Sequence, residues 1–366
     1  NEIKNKIYEA ATSSGADIVI TEIGGTVGDI ESAVMMESLR QFRLESGREN
    51  SLFVHTTLVP YLFGSNELKT KPTQNSIIEL RRLGIQPDII VTRAPIDLGE
   101  AVKKKISLFG SIPPENIIEA KDVNNIYQIP INFHKQHIED IILNQFGLKS
   151  GKSNLEHWEN LIKTSESLKD EIEIALVGKY VELEDAYLSV KEALKAAGYK
   201  YHTKIKIKWV NSEELEEDNC NLKEIFKNSK GIIVPGGFGS RGIEGMIKAC
   251  EYARTNKISY LGICLGMQIA VIEFARHVCK LPDASSREFE ELCVNPVIDL
   301  MADQKAIINK GGTLRLGNYK CKITKGTLAY EDYKTEEILE RHRHRYEVNN
   351  NYKELLASKD MIFSGI

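Results

Sequence analysis

Seven residues, Gly262-Ile263-Cys264-Leu265-Gly266-Met267-Gln268, constrain the fold of this 366-residue chain more than any others. Before them, residues 258–261 form a short apolar run that predicts a buried strand; after them, residues 268–276 carry apolar side chains at helical spacing. A strand must therefore turn into a helix at a sharp corner. Glycine on either side of the cysteine permits strained backbone and the close approach of a neighbouring strand, the logic of the Gly-x-Ser-x-Gly elbow that exposes a nucleophile. The thiol then lies at a helix N-terminus, where the macrodipole favours the thiolate. A lone free cysteine is more commonly a buried structural one. The paired glycines and the strand-turn-helix setting favour the nucleophile.

The rest of the chain repeats the same alternation. Residues 17–20, 52–57 and 88–92 are strand-like runs with helical patterns between them, and residues 172–177, 204–210 and 231–235 are strands separated or followed by helices near 189–197 and 245–254. That order predicts an α/β fold of two doubly wound domains with largely parallel sheets. Residues 149–171 are rich in Ser, Lys, Glu and Asn, with a short amphipathic helix around Trp158 and Leu161, and are expected to link a first domain at 1–148 to a second at 172–366. No internal repeat relates the two.

With 48 basic and 52 acidic side chains the net charge is -4, which gives no general attraction to nucleic acid or to an anionic membrane surface. Neither is expected as a partner. No apolar stretch approaches the roughly 20 residues of a membrane span. The six cysteines show no CxxC pairing, as in a reducing, cytoplasmic setting without a zinc site. The chain begins at Asn1 already inside a helical pattern (Ile3, Ile7, Ala10, Ala11) and ends at Gly365-Ile366 after an apolar run of strand character, so both ends are expected to be internal to something longer.

Several segments could carry chemistry. A thiolate attacking a carbonyl needs an oxyanion hole, and Pro235-Gly236-Gly237-Phe238-Gly239, just after a predicted strand, offers a backbone N–H to pair with that of Leu265. Alone, such a segment is only a turn. In the first half, Glu22, Asp29 and Glu31 surround a glycine-rich turn ahead of a helix. They suit magnesium carried by a nucleoside triphosphate, or equally a loop with helix-capping acids. Lys69-Thr70-Lys71-Pro72-Thr73-Gln74 precedes a helix predicted at 76–83 and is either a phosphate cradle or a run of surface lysines. Lys103-Lys104-Lys105 reads as a solvated helix face. Arg341-His342-Arg343-His344-Arg345 reads as a solvated basic face, with a nucleic-acid patch less favoured.

The Pro-Gly-Gly-Phe-Gly and Gly-Ile-Cys-Leu-Gly-Met-Gln segments together resemble a class I glutamine amidotransferase domain. The run from Arg341 to Asn349 narrows the resemblance to the CTP synthase family, and residues 21–32 and 69–74 resemble that family's P-loop-like synthetase domain almost residue for residue. The resemblance implies that Cys264 attacks the side-chain amide of glutamine. It also implies that Gly237, Leu265, Gly266, Met267 and Gln268 contact that substrate, Arg345 holds its carboxylate and Glu288 its ammonium. In the first half it implies that Glu22 binds Mg2+ and that Asp29, Ile30, Glu31, Lys69, Thr70, Lys71, Pro72, Thr73, Gln74 and Lys105 contact UTP or CTP. Lys121, Asp122 and Val123 would lie at the adenine of ATP. The implied reaction is phosphorylation of the 4-oxygen of UTP by ATP, then displacement of phosphate by ammonia that reaches it through an internal passage. GTP is the implied activator, CTP the inhibitor, and a homotetramer the implied assembly. Two parts of the family pattern are not in this sequence: the Gly-rich phosphate-binding loop with its partner aspartate, and the His-x-Glu that completes the cysteine's triad. No histidine after Cys264 stands two residues before a glutamate, so the chain by itself is expected to be incomplete for catalysis. A regulatory module that binds nucleotide or glutamine without turnover is the alternative this motivates. A stand-alone amidotransferase is a third reading, weakened by the nucleotide segments.

Overall fold

The computed structural model describes residues 1–301, 304 and 314–366, and it divides into two compact units, Asn1–Glu166 and Ser167–Ile366. In the first unit α1 (Glu2–Ser14) and α2 (Ala33–Ser46) precede β1 (Val54–Leu58), a small hairpin of β2 (Tyr61–Leu62) and β3 (Glu67–Leu68), and α3 (Lys71–Arg82). Then come β4 (Ile89–Ala94), α4 (Glu100–Gly110), β5 (Ile117–Lys121), α5 (Ile129–His134), α6 (Ile138–Gln145) and α7 (Glu156–Glu166). The strands β1, β4 and β5 form a parallel sheet with β4 in the centre. Because alternate residues of β4 point to opposite faces, Ile90 and Ala94 join Ile77, Leu98 and Ile106 on one side. Ile89 and Val91 meet Phe133, Ile138, Ile141 and Ile142 on the other. A strand covered on both faces carries consecutive apolar residues, which is why Ile89-Ile90-Val91 within 88–92 reads so clearly.

Three expectations are corrected here. Residues 17–20 form no strand: the run pairs with nothing among the described residues, and Ile20 is 92% exposed. β-branched residues favour a strand only where a ladder partner exists. The helix expected from residue 76 begins at Lys71, since Pro72 in a first turn forfeits only an N–H that has no helical acceptor. The apolar run before Gly365 makes only an isolated bridge between Ile323 and Gly365. In the segment expected as a linker, α7 packs back on its own unit, with Trp158 5.9 Å from Tyr127 and Asn125 Nδ2 donating to Ser165 Oγ at 3.0 Å.

The second unit opens with β6 (Asp170–Gly178), α8 (Leu188–Lys200), β7 (Thr203–Asn211), α9 (Leu222–Ile225), β8 (Ser229–Val234), α10 (Ile243–Asn256), β9 (Ser259–Gly262) and α11 (Leu265–His277). Its parallel sheet has the order β7-β6-β8-β9. Chain order reverses direction between β6 and β8, so their C-terminal ends flank a crevice of the kind where open α/β sheets bind ligands. Leu265, Ile269 and Ile272 of α11 and Met246, Cys250 and Ala253 of α10 recur at helical spacing and are all buried in one core. Beyond lie β10 (Ala284–Ser286), β11 (Asn295–Leu300), β12 (Arg315–Lys322), α12 (Leu328–Tyr333), β13 (Glu337–His344), β14 (Tyr346–Val348) and α13 (Lys353–Ala357). β11 pairs with β10 and β14, and β12 with β13 as a hairpin. Among the described residues no helix is long and apolar enough to cross a membrane.

Candidate functional site

Cys264 stands between the end of β9 and the first residue of α11, with φ 54° and ψ -102°. A non-glycine residue at positive φ costs on the order of 1–3 kcal/mol and persists only where its surroundings enforce it. They do so here. A Cβ on Gly262 would lie 2.3 Å from the Gly266 carbonyl carbon and oxygen, and one on Gly266 would lie 1.9 Å from the Val234 carbonyl oxygen. Glycine is thus required on both sides for β8, β9 and α11 to approach. The Ile263 N–H donates to Val234 O at 2.9 Å and the Tyr260 hydroxyl to Gly266 O at 2.8 Å, which locks the corner.

The glycine-rich turn after β8 presses against this elbow. A Cβ on Gly236 would touch Cys264 Cβ at 3.6 Å, and one on Gly237 would crowd Leu265 Cδ2 at 3.1 Å. Glu288, two residues past β10, accepts from the Gly239 N–H at 2.9 Å. The structure therefore brings Cys264, Leu265, Gly237 and Glu288 to one place. Burial pushes the Cys264 thiol up from its ordinary pKa, and Glu288 adds to this, while the Leu265 N–H works in the opposite direction. The helix N-terminus was expected to favour the thiolate; the direction of the shift is the opposite, although Cys264 is exposed to solvent. The thiol then needs a base to take its proton before it can attack.

Gln268 lies one turn into α11 with its side chain buried. Its Nε2 donates to Tyr346 O at 3.2 Å and its Oε1 has no partner among the described residues. Arg345, between β13 and β14, donates to Gln304 Oε1 at 2.7 Å, and its carbonyl accepts from the Met301 N–H. Gly266 is sealed against β8, whereas Met267 is 40% exposed. His342 and His344 hydrogen-bond to each other at 2.7 Å, and His344 Nδ1 faces the Tyr346 carbonyl at 3.0 Å, so both are engaged within the hairpin. Lys179, which follows β6, has no signature in the sequence and is nonetheless part of this site: its ammonium donates to Phe238 O at 3.0 Å and to Gly239 O.

In the first unit Glu22, Asp29, Ile30 and Glu31 lie exposed on the loop before α2. Ile23 and Val27 of that loop pack with Met36 and Leu80, which fixes it against α2 and α3. The segment 69–74 divides in two. Lys71 and Pro72 are exposed and Lys69 pairs with Glu67 at 2.6 Å, whereas Thr70, Thr73 and Gln74 are buried. Thr73 Oγ1 donates to Leu58 O at 2.9 Å and ties α3 to β1, while Gln74 Nε2 donates to Thr70 Oγ1 at 3.0 Å and closes the first turn of α3. The charge of Lys105 reaches Glu67, after that of Lys69, in holding its carboxyl below the usual range. Lys105 lies exposed on α4. Lys121, Asp122 and Val123 line a polar cleft of about 570 Å³ at the C-terminal end of β5, together with Asn124, Gln128 and Lys135. Lys121 and Asp122 pair with Asp97 (2.9 Å) and Arg93 (3.0 Å).

For a metal, Glu22 supplies one exposed carboxylate and belongs to no close group of three ligating side chains among the described residues. A magnesium ion that arrives on nucleotide phosphates needs only one or two protein carboxylates, so this donor fits that ion. The one such group, Glu251, Glu273 and His277, has both Glu273 oxygens taken by Arg254 at 3.0 Å and serves the packing of α10 on α11.

Two family models match the chain: CTP synthase N-terminus over residues 1–148 and class-I glutamine amidotransferase over residues 182–365. A CTP synthase of Caldanaerobacter subterraneus subsp. tengcongensis is 52% identical over 366 residues, covering 100% of this chain and 68% of the relative. That of Bacillus subtilis is 48% identical over 365 residues with the same coverage. Among solved structures, the glutaminase domain of Trypanosoma brucei CTPS with bound acivicin is similar at a TM-score of 0.50 and 38% identity, over 53% of this chain and 74% of that one.

Proposed function

The chain belongs to the CTP synthase family, and from that premise we propose that Cys264 takes ammonia from glutamine for the amination of UTP. Its two parts are the synthetase and the glutamine amidotransferase of a ligase that makes CTP. We assign residues 1–148 to the first, 172–366 to the second, and 149–171 to their connection. In the amidotransferase the thiolate attacks the side-chain amide carbon of glutamine, and the N–H groups of Gly237 and Leu265 receive the charge that develops on oxygen. Collapse of the tetrahedral adduct expels ammonia, and water hydrolyses the thioester. Glu288 faces the substrate ammonium and Arg345 its carboxylate, for which a planar guanidinium is suited. Gly266, Met267 and Gln268 complete the lining. The observation that carries this reading is the enforced positive φ of Cys264 between two glycines that have no room for a side chain. Its test is protection: glutamine at ten times its Kd should slow alkylation of Cys264 by iodoacetamide about 10-fold, as occupancy requires. An unchanged rate would remove glutamine from this site.

In the synthetase part, ATP phosphorylates the 4-oxygen of UTP and ammonia displaces the phosphate. Lys69, Lys71 and Lys105 supply positive charge for the nucleotide phosphates, Asp29, Ile30 and Glu31 contact the pyrimidine nucleotide, and Thr70, Pro72, Thr73 and Gln74 hold the start of α3 in shape. Lys121, Asp122 and Val123 contact the adenine of ATP, in a cleft of the size that binds small ligands. Glu22 is placed to hold Mg2+, which when bound offsets phosphate charge. Activation by GTP, inhibition by CTP, a homotetramer and a cytoplasmic location complete the proposal. UTP at 100 times its Kd should stabilise the enzyme by about 2.7 kcal/mol. Lys71→Ala should weaken UTP binding by about tenfold or more, the value of one hydrogen bond to a charged group. An undiminished thermal shift in that variant would exclude the lysine from the phosphate site.

A further inference from the structure

We propose that Lys179 is a positioning residue of the glutamine site, setting through the Phe238–Gly239 peptide both the glycine-rich turn and the carboxylate of Glu288. The inference rests on the assignment of Cys264 as nucleophile. Lys179 is only 5% exposed, although it directly follows β6 at the point where the sheet order reverses. Its ammonium donates to the carbonyls of Phe238 and Gly239. The carbonyl of Phe238 and the N–H of Gly239 belong to one planar peptide and point in opposite directions. With the carbonyl held by Lys179, the N–H is turned the other way, and there it donates to Glu288 Oε1 at 2.9 Å. One ammonium thereby fixes the carboxylate that faces the substrate.

The stem of the lysine does a second task. Its Cδ and Cε lie under Gly237, where a Cβ would meet them at 3.7 Å, so the turn that carries the oxyanion N–H rests on the lysine side chain. The backbone of Lys179 is itself held: its N–H donates to the Tyr187 hydroxyl at 3.1 Å, and its carbonyl accepts from Arg241 Nη2 at 3.1 Å. Burial lowers the pKa of Lys179, and the charges of Glu288, Glu213 and Glu216 oppose that shift while Arg241 adds to it. The role of Lys179 is to orient peptide groups.

The test uses the full enzyme and Lys179→Met, which keeps a long apolar stem and removes the donor. Iodoacetamide alkylates a thiolate without forming an oxyanion, so it reports the state of Cys264 alone. The expected result is a loss of about 100-fold in kcat/KM for glutamine, the scale of one lost oxyanion donor. Alkylation of Cys264 and CTP formation from ammonium salts should stay within about threefold of wild type, and Lys179→Arg, which keeps charge and donors, should recover about tenfold of the loss. A glutamine kcat/KM within about threefold of wild type overturns the proposal, as does an alkylation rate that falls in parallel with it. If both variants lose ammonia-dependent formation, the lysine serves the fold and the proposal also fails. Failure of the underlying assignment looks different: Cys264→Ala would then retain turnover of glutamine.

Discussion

Cys264→Ala should abolish CTP formation from glutamine in the full enzyme and leave formation from ammonium salts close to wild type. The substitution removes one sulfur atom and little else. Cysteine and alanine both carry a Cβ, so the positive φ at this position costs the two residues about the same. The hydrogen bonds that lock the corner come from Ile263 and Tyr260 and do not involve the thiol. The elbow therefore keeps its shape while its nucleophile is gone. Loss of a covalent nucleophile costs on the order of 10⁴-fold or more in turnover, with only binding and the oxyanion N–H groups left to act. Glutamine-dependent CTP formation, followed by the absorbance change from UTP to CTP, should sink to background. Loss of both activities together would contradict the assignment of nitrogen release to one part and amination to the other.

Gly266→Ala should destabilise the second unit by about 4 kcal/mol or more, beyond the usual range for a point substitution. The new Cβ would lie 1.9 Å from the carbonyl oxygen and 2.8 Å from the carbonyl carbon of Val234. Both are backbone atoms of a buried central strand, and no rotamer change relieves the overlap. Either β8 separates from α11, opening the core that Ile232, Val234, Leu265 and Ile269 share, or the helix start unwinds and takes the Leu265 N–H with it. Gly239→Ala is the control: nothing lies within 4 Å of its Cβ and only its φ of 75° is unfavourable, which predicts a cost of about 1 kcal/mol. Each unit carries one tryptophan, Trp158 in the first and Trp209 in the second. Urea unfolding followed by Trp209 fluorescence in a Trp158→Phe background isolates the second unit. A Gly266→Ala cost no larger than that of Gly239→Ala would mean that the glycine is not a steric requirement of the elbow.

The elbow was legible in the sequence because its physics is local: a strand, a helix, and two glycines where no Cβ fits. β4 was legible for a related reason, since Ile89, Ile90 and Val91 are buried on both faces and form one continuous apolar run. Residues 17–20 read as a strand by the same composition, yet pairing is a property of two segments and composition reports one. At 69–74, the polar string that opens α3 looked uniformly exposed. Only packing distinguishes Lys71, which faces solvent, from Thr73, which ties α3 to β1, and Gln74, which is buried on Thr70. Lys179 is the clearest case of what sequence withholds. Its partner carbonyl is 59 residues away, and a lysine after a strand is ordinarily a solvated one. That it is buried follows from the return of β8 beside β6, which no local pattern encodes.

The most direct test of the central claim follows nitrogen itself. The full enzyme is given UTP, ATP, Mg2+ and glutamine labelled with 15N in its side-chain amide, and the CTP formed is weighed by mass spectrometry. The account predicts 15N in the 4-amino group of CTP for the wild type, and for Cys264→Ala no labelled CTP, with unlabelled CTP made when ammonium salts are added. Labelled CTP from Cys264→Ala, or CTP from the wild type without the label, would contradict it.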